Sequence, residues 1–281
     1  MAAPSEASLR PRLYPGAVAR VLIRARRSTG ADLEAVAERP VLVLGAPRSG
    51  TSFVARCIGR VPGFADLGEL RPWKEAIPRL ASLPQEEAAE HLRGMLESIR
   101  RYGFVRHLRA VEQSPETAFV LAAAVHAYPQ AAVVHMVRDP RDVASSLLQK
   151  GWLRAERRGR DDVGAPYGGH ARFWVEPDRA AEFDQASEAR RAGWAWRSYV
   201  SAARAAPANT VEVQYEELAS DPEAASERLA AHIGADPILL GHAFSRMHCE
   251  SVGRWRRNLT PEQVAEVESE AGALMQELGY D

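Results

Sequence analysis

The stretch Val41 to Ile58, V-L-V-L-G-A-P-R-S-G-T-S-F-V-A-R-C-I, constrains this chain more than any other. Val41 to Leu44 is a continuous apolar run after Pro40, and its length suits a buried parallel strand rather than a helix. Gly45 to Gly50 then forces a turn, because the segment holds two glycines, a proline and a serine. Beyond it, Phe53, Val54, Cys57 and Ile58 recur at helical spacing and share one face. A strand, a glycine-bounded loop and a helix N-terminus present free backbone N–H groups and a positive dipole end to an anion.

The loop reads G-x-x-x-x-G-T-S, close to the P-loop pattern G-x-x-x-x-G-K-[ST]. Thr51 stands where a P-loop carries the lysine that reaches the β and γ phosphates of a nucleoside triphosphate. The positive charge sits inside the loop instead, at Arg48. Such a loop suits an anion without a lysine grip on a triphosphate tail. A glycine-rich connection with no ligand is the bland alternative, and this stretch alone leaves it open.

The 281 residues allow one large α/β domain or two small ones, and the 46% apolar fraction is ample for a core. A net charge of −1 gives no sign of a nucleic-acid binder. Cys57 and Cys249 are the only cysteines, and Cys57 belongs to the apolar helix face, which argues against a disulfide framework. Residues 1–39 form an N-terminal extension with one short amphipathic helix around Leu13 to Leu22. They hold no run long enough for a signal peptide or membrane span, so a cytoplasmic location is expected. The main domain is expected over residues 40–281.

Residues 62–73 read as mostly loop, with a short strand near Phe64 to Leu67. They follow the helix that opens at the anion loop, and they carry Glu69 and Arg71. A helix is expected from Pro84 through Arg101. Val111 to Gln113 is a short strand, and Ser114 before Pro115 fits an N-cap for a helix reaching Tyr128. Residues 131–137, A-A-V-V-H-M-V, form the second clear apolar strand. After it, Asp139 caps a helix that has Pro140 at its first position. Residues 150–184 are rich in glycine and arginine, which suggests a lid or acceptor-binding excursion carrying His170, Phe173 and Trp174. A helix over Glu188 to Ala206, a strand at Thr210 to Gln214, and helices from Pro222 and Pro261 complete the pattern.

Four segments carry a family resemblance. P-R-S-G-T-S (Pro47, Arg48, Ser49, Gly50, Thr51, Ser52) after a buried strand resembles the 5′-phosphosulfate loop, P-[KR]-S-G-T-[TS], of sulfotransferases that use 3′-phosphoadenosine-5′-phosphosulfate (PAPS). V-R-D-P-R-D-V-A-S-S resembles their 3′-phosphate motif, in which an arginine and a serine eight positions later bind the 3′-phosphate; Arg138 and Ser146 have that spacing. Independently of the family, an arginine at the C-terminal end of a parallel strand faces the ligand crevice, and its fork suits phosphate. Y-E-E-L from Tyr215 resembles a Y-E-x-L segment. Arg254 and Trp255, approached by Ser251 and Gly253, resemble the Gly/Arg-rich loop that closes over the nucleotide.

The resemblance implies a single α/β domain of P-loop-like sulfotransferase fold, a central parallel sheet flanked by helices. It implies sulfuryl transfer from PAPS to a hydroxyl or amine, releasing 3′-phosphoadenosine-5′-phosphate, with no metal. Arg48 would stabilise the leaving phosphate. Glu69 is the candidate base, since L-G-E-L-R resembles G-E-E-x-R of tyrosylprotein sulfotransferases. Leu67-Gly68 stands where that family has Gly-Glu. Arg71 and His170 are candidate acceptor contacts, and His107 and His170 are rival bases. The acceptor class stays open between small molecule, glycan and peptide, with a homodimer also open. The alternative readings are a P-loop kinase and a nucleotide-binding protein without transfer activity.

Overall fold

In the computed structural model, residues 36–102, 107–154, 175, 177–206, 209–245 and 249–280 are described. Five strands form one sheet: β1 (Val41–Gly45), β2 (Phe64–Gly68), β3 (Arg109–Glu112), β4 (Ala132–Val137) and β5 (Thr210–Gln214). Their order is β2-β3-β1-β4-β5 and every pairing is parallel. The apolar run expected to be a buried strand is therefore the central one, and all five β1 residues are buried.

Side chains alternate across a strand, and β1 shows the consequence. Leu42 and Leu44 face one core, with α2 (Arg71–Leu80), α3 (Gln85–Tyr102) and α4 (Leu121–Ala127). Val41 and Val43 face the other, with α1 (Thr51–Ile58), α9 (Pro222–Ile233) and α10 (Pro237–Phe244). Beyond the C-terminal strand ends, α5 (Pro140–Lys150), α7 (Glu188–Ala205) and α12 (Pro261–Glu277) bury Trp194, Trp196 and Tyr199 completely. The remaining helices are α6 (Ala180–Gln185), α8 (Tyr215–Ser220) and α11 (Trp255–Asn258). This is a single α/β domain with helices on both faces of a parallel sheet.

Several local expectations change. Helix α2 begins at Arg71, where a loop was expected, because Leu70 supplies the extended N-cap and Pro72 fits the first turn. The segment after Ser114 starts as a 3₁₀ turn, Pro115–Val120, and no side-chain cap bond forms. Asp139 does cap α5, accepting from Arg141 N at 2.8 Å. Thr260 and Gln263 form a reciprocal capping box at α12. The excursion that carries His170, Phe173 and Trp174, and the helix expected near residues 13–22, lie outside the described residues.

At the end of β3, Glu112 is fully buried. Its two oxygens accept from Ser114 N at 2.8 Å and Thr117 Oγ1 at 3.0 Å, and Thr117 Oγ1 accepts in turn from Trp73 Nε1 at 2.9 Å. Burial pushes the Glu112 carboxyl up to about 8, partly offset by these donors. An unfolded glutamate titrates near ~4.3. Between the two values the unfolded chain is ionised and the folded one is protonated, so stability falls as pH rises. The slope for one proton is about 1.4 kcal/mol per pH unit. Glu112→Gln keeps the shape and removes the proton. Urea denaturation at pH 5.5, 6.5 and 7.5 should show the wild type losing roughly that slope relative to the variant. Parallel profiles would contradict the buried, protonated carboxyl.

Candidate functional site

A parallel sheet collects its functional groups at the C-terminal strand ends. Here each of the five strands delivers one. Arg48 follows β1, Glu69 follows β2, Gln113 follows β3, Arg138 follows β4 and Tyr215 follows β5.

The loop after β1 needs two glycines for two reasons. Gly45 has φ 149°, and a Cβ there would lie 2.2 Å from the Met136 carbonyl oxygen on β4. Gly50 has φ 94°, and a Cβ there would lie 2.7 Å from the Tyr215 ring. Between them Arg48 has φ 77°, the one positive φ outside glycine among the described residues. A left-handed arginine costs on the order of 1–3 kcal/mol, and such strain persists where surrounding contacts enforce it. Those contacts are visible. Arg48 Nε donates to Ser146 Oγ at 3.0 Å, its guanidinium lies over the Trp152 ring, and its carbonyl accepts from Arg138 Nη1 at 3.2 Å. The helix that follows, α1, has no side-chain cap and no acidic residue in its first turn.

Arg138 is 7% exposed. Besides the Arg48 carbonyl, it donates from Nη2 to the Ser251 carbonyl at 2.6 Å. Its guanidinium stacks over the Tyr215 ring, and the Tyr215 hydroxyl pairs with Ser251 Oγ at 2.8 Å. Arg138 does not pair with Asp139, which bonds to Arg141 at 3.0 Å; it approaches Asp142 at 3.9 Å. Asp142 holds the C-terminal loop, accepting from Gly253 N at 2.7 Å and Trp255 N at 3.0 Å.

These groups line a cleft of about 420 Å³ that includes Arg48, Gly50, Thr51, Ser52, Arg138, Ser146, Ser251 and Arg254. Arg48, Arg56, Arg138 and Arg254 supply four cations to its wall, against Asp142 and Glu250. Arg254 is already engaged by Glu250. Arg48 and Arg56 have no carboxylate partner among the described residues. Desolvation at the cleft wall, with Arg138 alongside, holds Arg48 below its ordinary value. A cleft that strains its own cations against one another is completed by an anion. On that wall Arg138 Nε is buried without a partner among the described residues, which also fits a site built for an acceptor-rich group.

A second cleft, of about 310 Å³, shares Ser52 and Arg56 with the first and adds Asp66, Glu69 and Gln113. Glu69 Oε2 accepts from the buried Lys74 Nζ at 2.8 Å, and Lys74 also reaches Glu116 at 3.4 Å. Oε1 of Glu69 has no partner among the described residues. Ser52 Oγ donates to Gln113 Oε1 at 3.0 Å, joining the two clefts.

The structure thus brings Arg48, Gly50, Thr51, Ser52, Arg138, Ser146 and Arg254 to one cleft and Glu69 to its neighbour. Trp255 lines neither; its ring lies between the guanidinium groups of Arg141 and Arg256. Pro47 and Ser49 shape the loop without lining the cleft. His107 lines neither cleft, His170 lies outside the described residues, and the position of the Arg71 side chain is not described. Sequence reasoning passed over Arg56 and Gln113, and it quoted Tyr215 in the Y-E-E-L segment without giving it a place in the site. Their signal was positional: Gln113 and Tyr215 directly follow strands, and Arg56 lies one helical turn after Ser52.

The family model for the sulfotransferase family matches residues 40–237. The chain belongs to the sulfotransferase family. Searched against curated protein sequences, this sulfotransferase-family chain finds no match. Among solved structures it is similar to the sulfotransferase domain from the curacin biosynthetic pathway, with TM-score 0.55 and 15% identity over 86% of this chain and 98% of that one. It is also similar to sulfotransferase STF9 from Mycobacterium avium, with TM-score 0.52 and 15% identity over 97% and 88%. At that identity the likeness concerns the fold, which is the P-loop-like fold of sulfotransferases. Among the described residues no group of side chains suits a metal ion and no helix is long and apolar enough to cross a membrane.

The role of Asp142 is directly measurable. A hydrogen bond to a carboxylate is worth roughly 1.5–3 kcal/mol, which corresponds to about 10- to 100-fold in local opening. In Asp142→Ala, hydrogen exchange at the Gly253 and Trp255 amides should accelerate by about that factor. Unchanged exchange there would show that the loop is held by other contacts.

Proposed function

We propose that this protein transfers a sulfuryl group from PAPS to an acceptor hydroxyl. The observation that carries the proposal is the pair of adjoining clefts, one lined by four arginines, of which Arg48 and Arg56 have no carboxylate partner among the described residues, and the other offering the carboxylate of Glu69, with Ser52 and Arg56 common to both. Sulfuryl transfer needs an anion site and a proton acceptor side by side, and the family supports that reading.

When bound, PAPS supplies the sulfuryl group: the acceptor oxygen bonds to sulfur, the bond from sulfur to the bridging phosphate oxygen breaks, and the electron pair leaves with that oxygen. The loop from Pro47 to Ser52 would hold the 5′-phosphosulfate with the backbone N–H groups that open α1. Arg48, a fixed cation inside that loop, would stabilise charge developing on the departing oxygen. Arg138, Ser146 and Arg254 would hold the 3′-phosphate. Glu69 would take the acceptor proton as the new bond forms. Lys74 holds one oxygen of that carboxylate at 2.8 Å, so the other is the atom available to the acceptor.

Glu69→Gln tests this arrangement. It preserves size and hydrogen bonding and removes the basic oxygen. Turnover should fall by about two to four orders of magnitude. The affinity for 3′-phosphoadenosine-5′-phosphate, read by calorimetry, should stay unchanged. Full turnover in Glu69→Gln, with loss in His107→Ala or His170→Ala, would move the proton acceptor to that histidine.

A further inference from the structure

We propose that the second cleft takes a neutral, hydroxyl-rich acceptor of the sugar or polyol class, selected by Gln113. The inference rests on the sulfuryl-transfer reading above and names the acceptor for it.

The lining decides the chemistry. Pockets for flat phenols or apolar alcohols are walled mainly by apolar and aromatic side chains. Five of the described residues on this wall, Ser52, Arg56, Asp66, Glu69 and Gln113, carry hydrogen-bonding groups, and none is aromatic. Among the described residues Leu67 is the one large apolar residue there, and it is buried in the core beside Leu42 and Ala65. These described residues offer an apolar acceptor almost no side-chain surface to cover.

Gln113 carries the argument further. It is 6% exposed, and Ser52 occupies its amide oxygen. Its amide nitrogen has no partner among the described residues, which leaves an open donor at the cleft wall. A donor that gives up water when an acceptor enters penalises any acceptor unable to pair with it. The Oε1 atom of Glu69 adds an acceptor on the same wall, and Asp66 stands beside it with Oδ1 accepting from Gly68 N at 2.9 Å. Alternating donors and acceptors match neighbouring hydroxyls, each of which both donates and accepts. Two carboxylates on the wall disfavour an acidic acceptor. Arg56 lies where the clefts join, on the path of the sulfuryl group. The volume of about 310 Å³ is at the small end for ligand sites and suits one compact unit of a larger molecule.

The test uses the full chain with PAPS and a panel of cellobiose, inositol, 4-nitrophenol, N-acetyltyrosine amide and 1-octanol. Sulfated product is read by mass spectrometry and kinetics, and binding of 3′-phosphoadenosine-5′-phosphate by calorimetry. The expected result is transfer to cellobiose or inositol with the phenols and octanol at least about tenfold poorer in kcat/KM. Gln113→Leu should then raise the polyol KM by about tenfold, as loss of one buried hydrogen bond does. Its nucleotide affinity should be unchanged. Preference for a phenol or octanol overturns the inference, as does transfer to no member of the panel while the nucleotide binds. Absence of nucleotide binding overturns the sulfuryl-transfer reading itself, and the inference with it.

Discussion

The site depends on one buried guanidinium. Arg138, at the end of β4, is held by two backbone carbonyls, those of Arg48 and Ser251, which lie 90 and 113 positions away along the chain. The planar fork meets two carbonyls at once and leaves Nε without a partner among the described residues. The Tyr215 ring covers its face, and the Trp196 indole fixes its own carbonyl at 2.9 Å. One side chain therefore joins the loop after β1, the end of β5 and the C-terminal loop. Neutral carbonyls satisfy its hydrogen bonds without cancelling its charge, and Asp142 stands back at 3.9 Å. The cation remains partly uncompensated at the cleft wall, beside Arg48.

Topology explains why the clefts adjoin. The chain starts its sheet in the centre, with β1, then fills β2 and β3 on one side and β4 and β5 on the other. Strand ends on the β4–β5 side carry Arg138 and Tyr215, which build the anion cleft. Strand ends on the β2–β3 side carry Glu69 and Gln113, which build its polar neighbour. The loop after β1 stands between them and serves both. This is the crevice that forms where connections leave a parallel sheet in opposite directions.

Much of this was legible in the sequence because it is local. β1 and β4 are continuous apolar runs, and their following loops carry the arginines directly. Arg138 and Ser146, paired by their spacing, line one cleft, where Ser146 accepts from Arg48. What was not legible depends on tertiary contact. Helix α2 is interrupted by Pro78 and framed by Pro72, so its propensity reads as loop; packing of Trp73 and Ile77 in the core makes it a helix. Helix α10 leaves Ile238 and Leu239 exposed and shows no helical stripe to find. Trp255 carried an aromatic signal, but its ring is sandwiched between Arg141 and Arg256. Gln113 had no signal in its type, only in its place after a strand.

The central claim is that the arginine-lined cleft recognises a nucleotide by a 3′-phosphate rather than by a triphosphate tail. Calorimetry on the full chain with 3′-phosphoadenosine-5′-phosphate, adenosine-5′-phosphate and ATP with magnesium tests it most directly. Charge-assisted contacts worth roughly 1.5–3 kcal/mol each predict that the 3′-phosphorylated nucleotide binds at least about tenfold tighter than adenosine-5′-phosphate. It should also bind more tightly than ATP with magnesium. Equal affinity for 3′-phosphoadenosine-5′-phosphate and adenosine-5′-phosphate, or a preference for ATP with magnesium, would contradict the account.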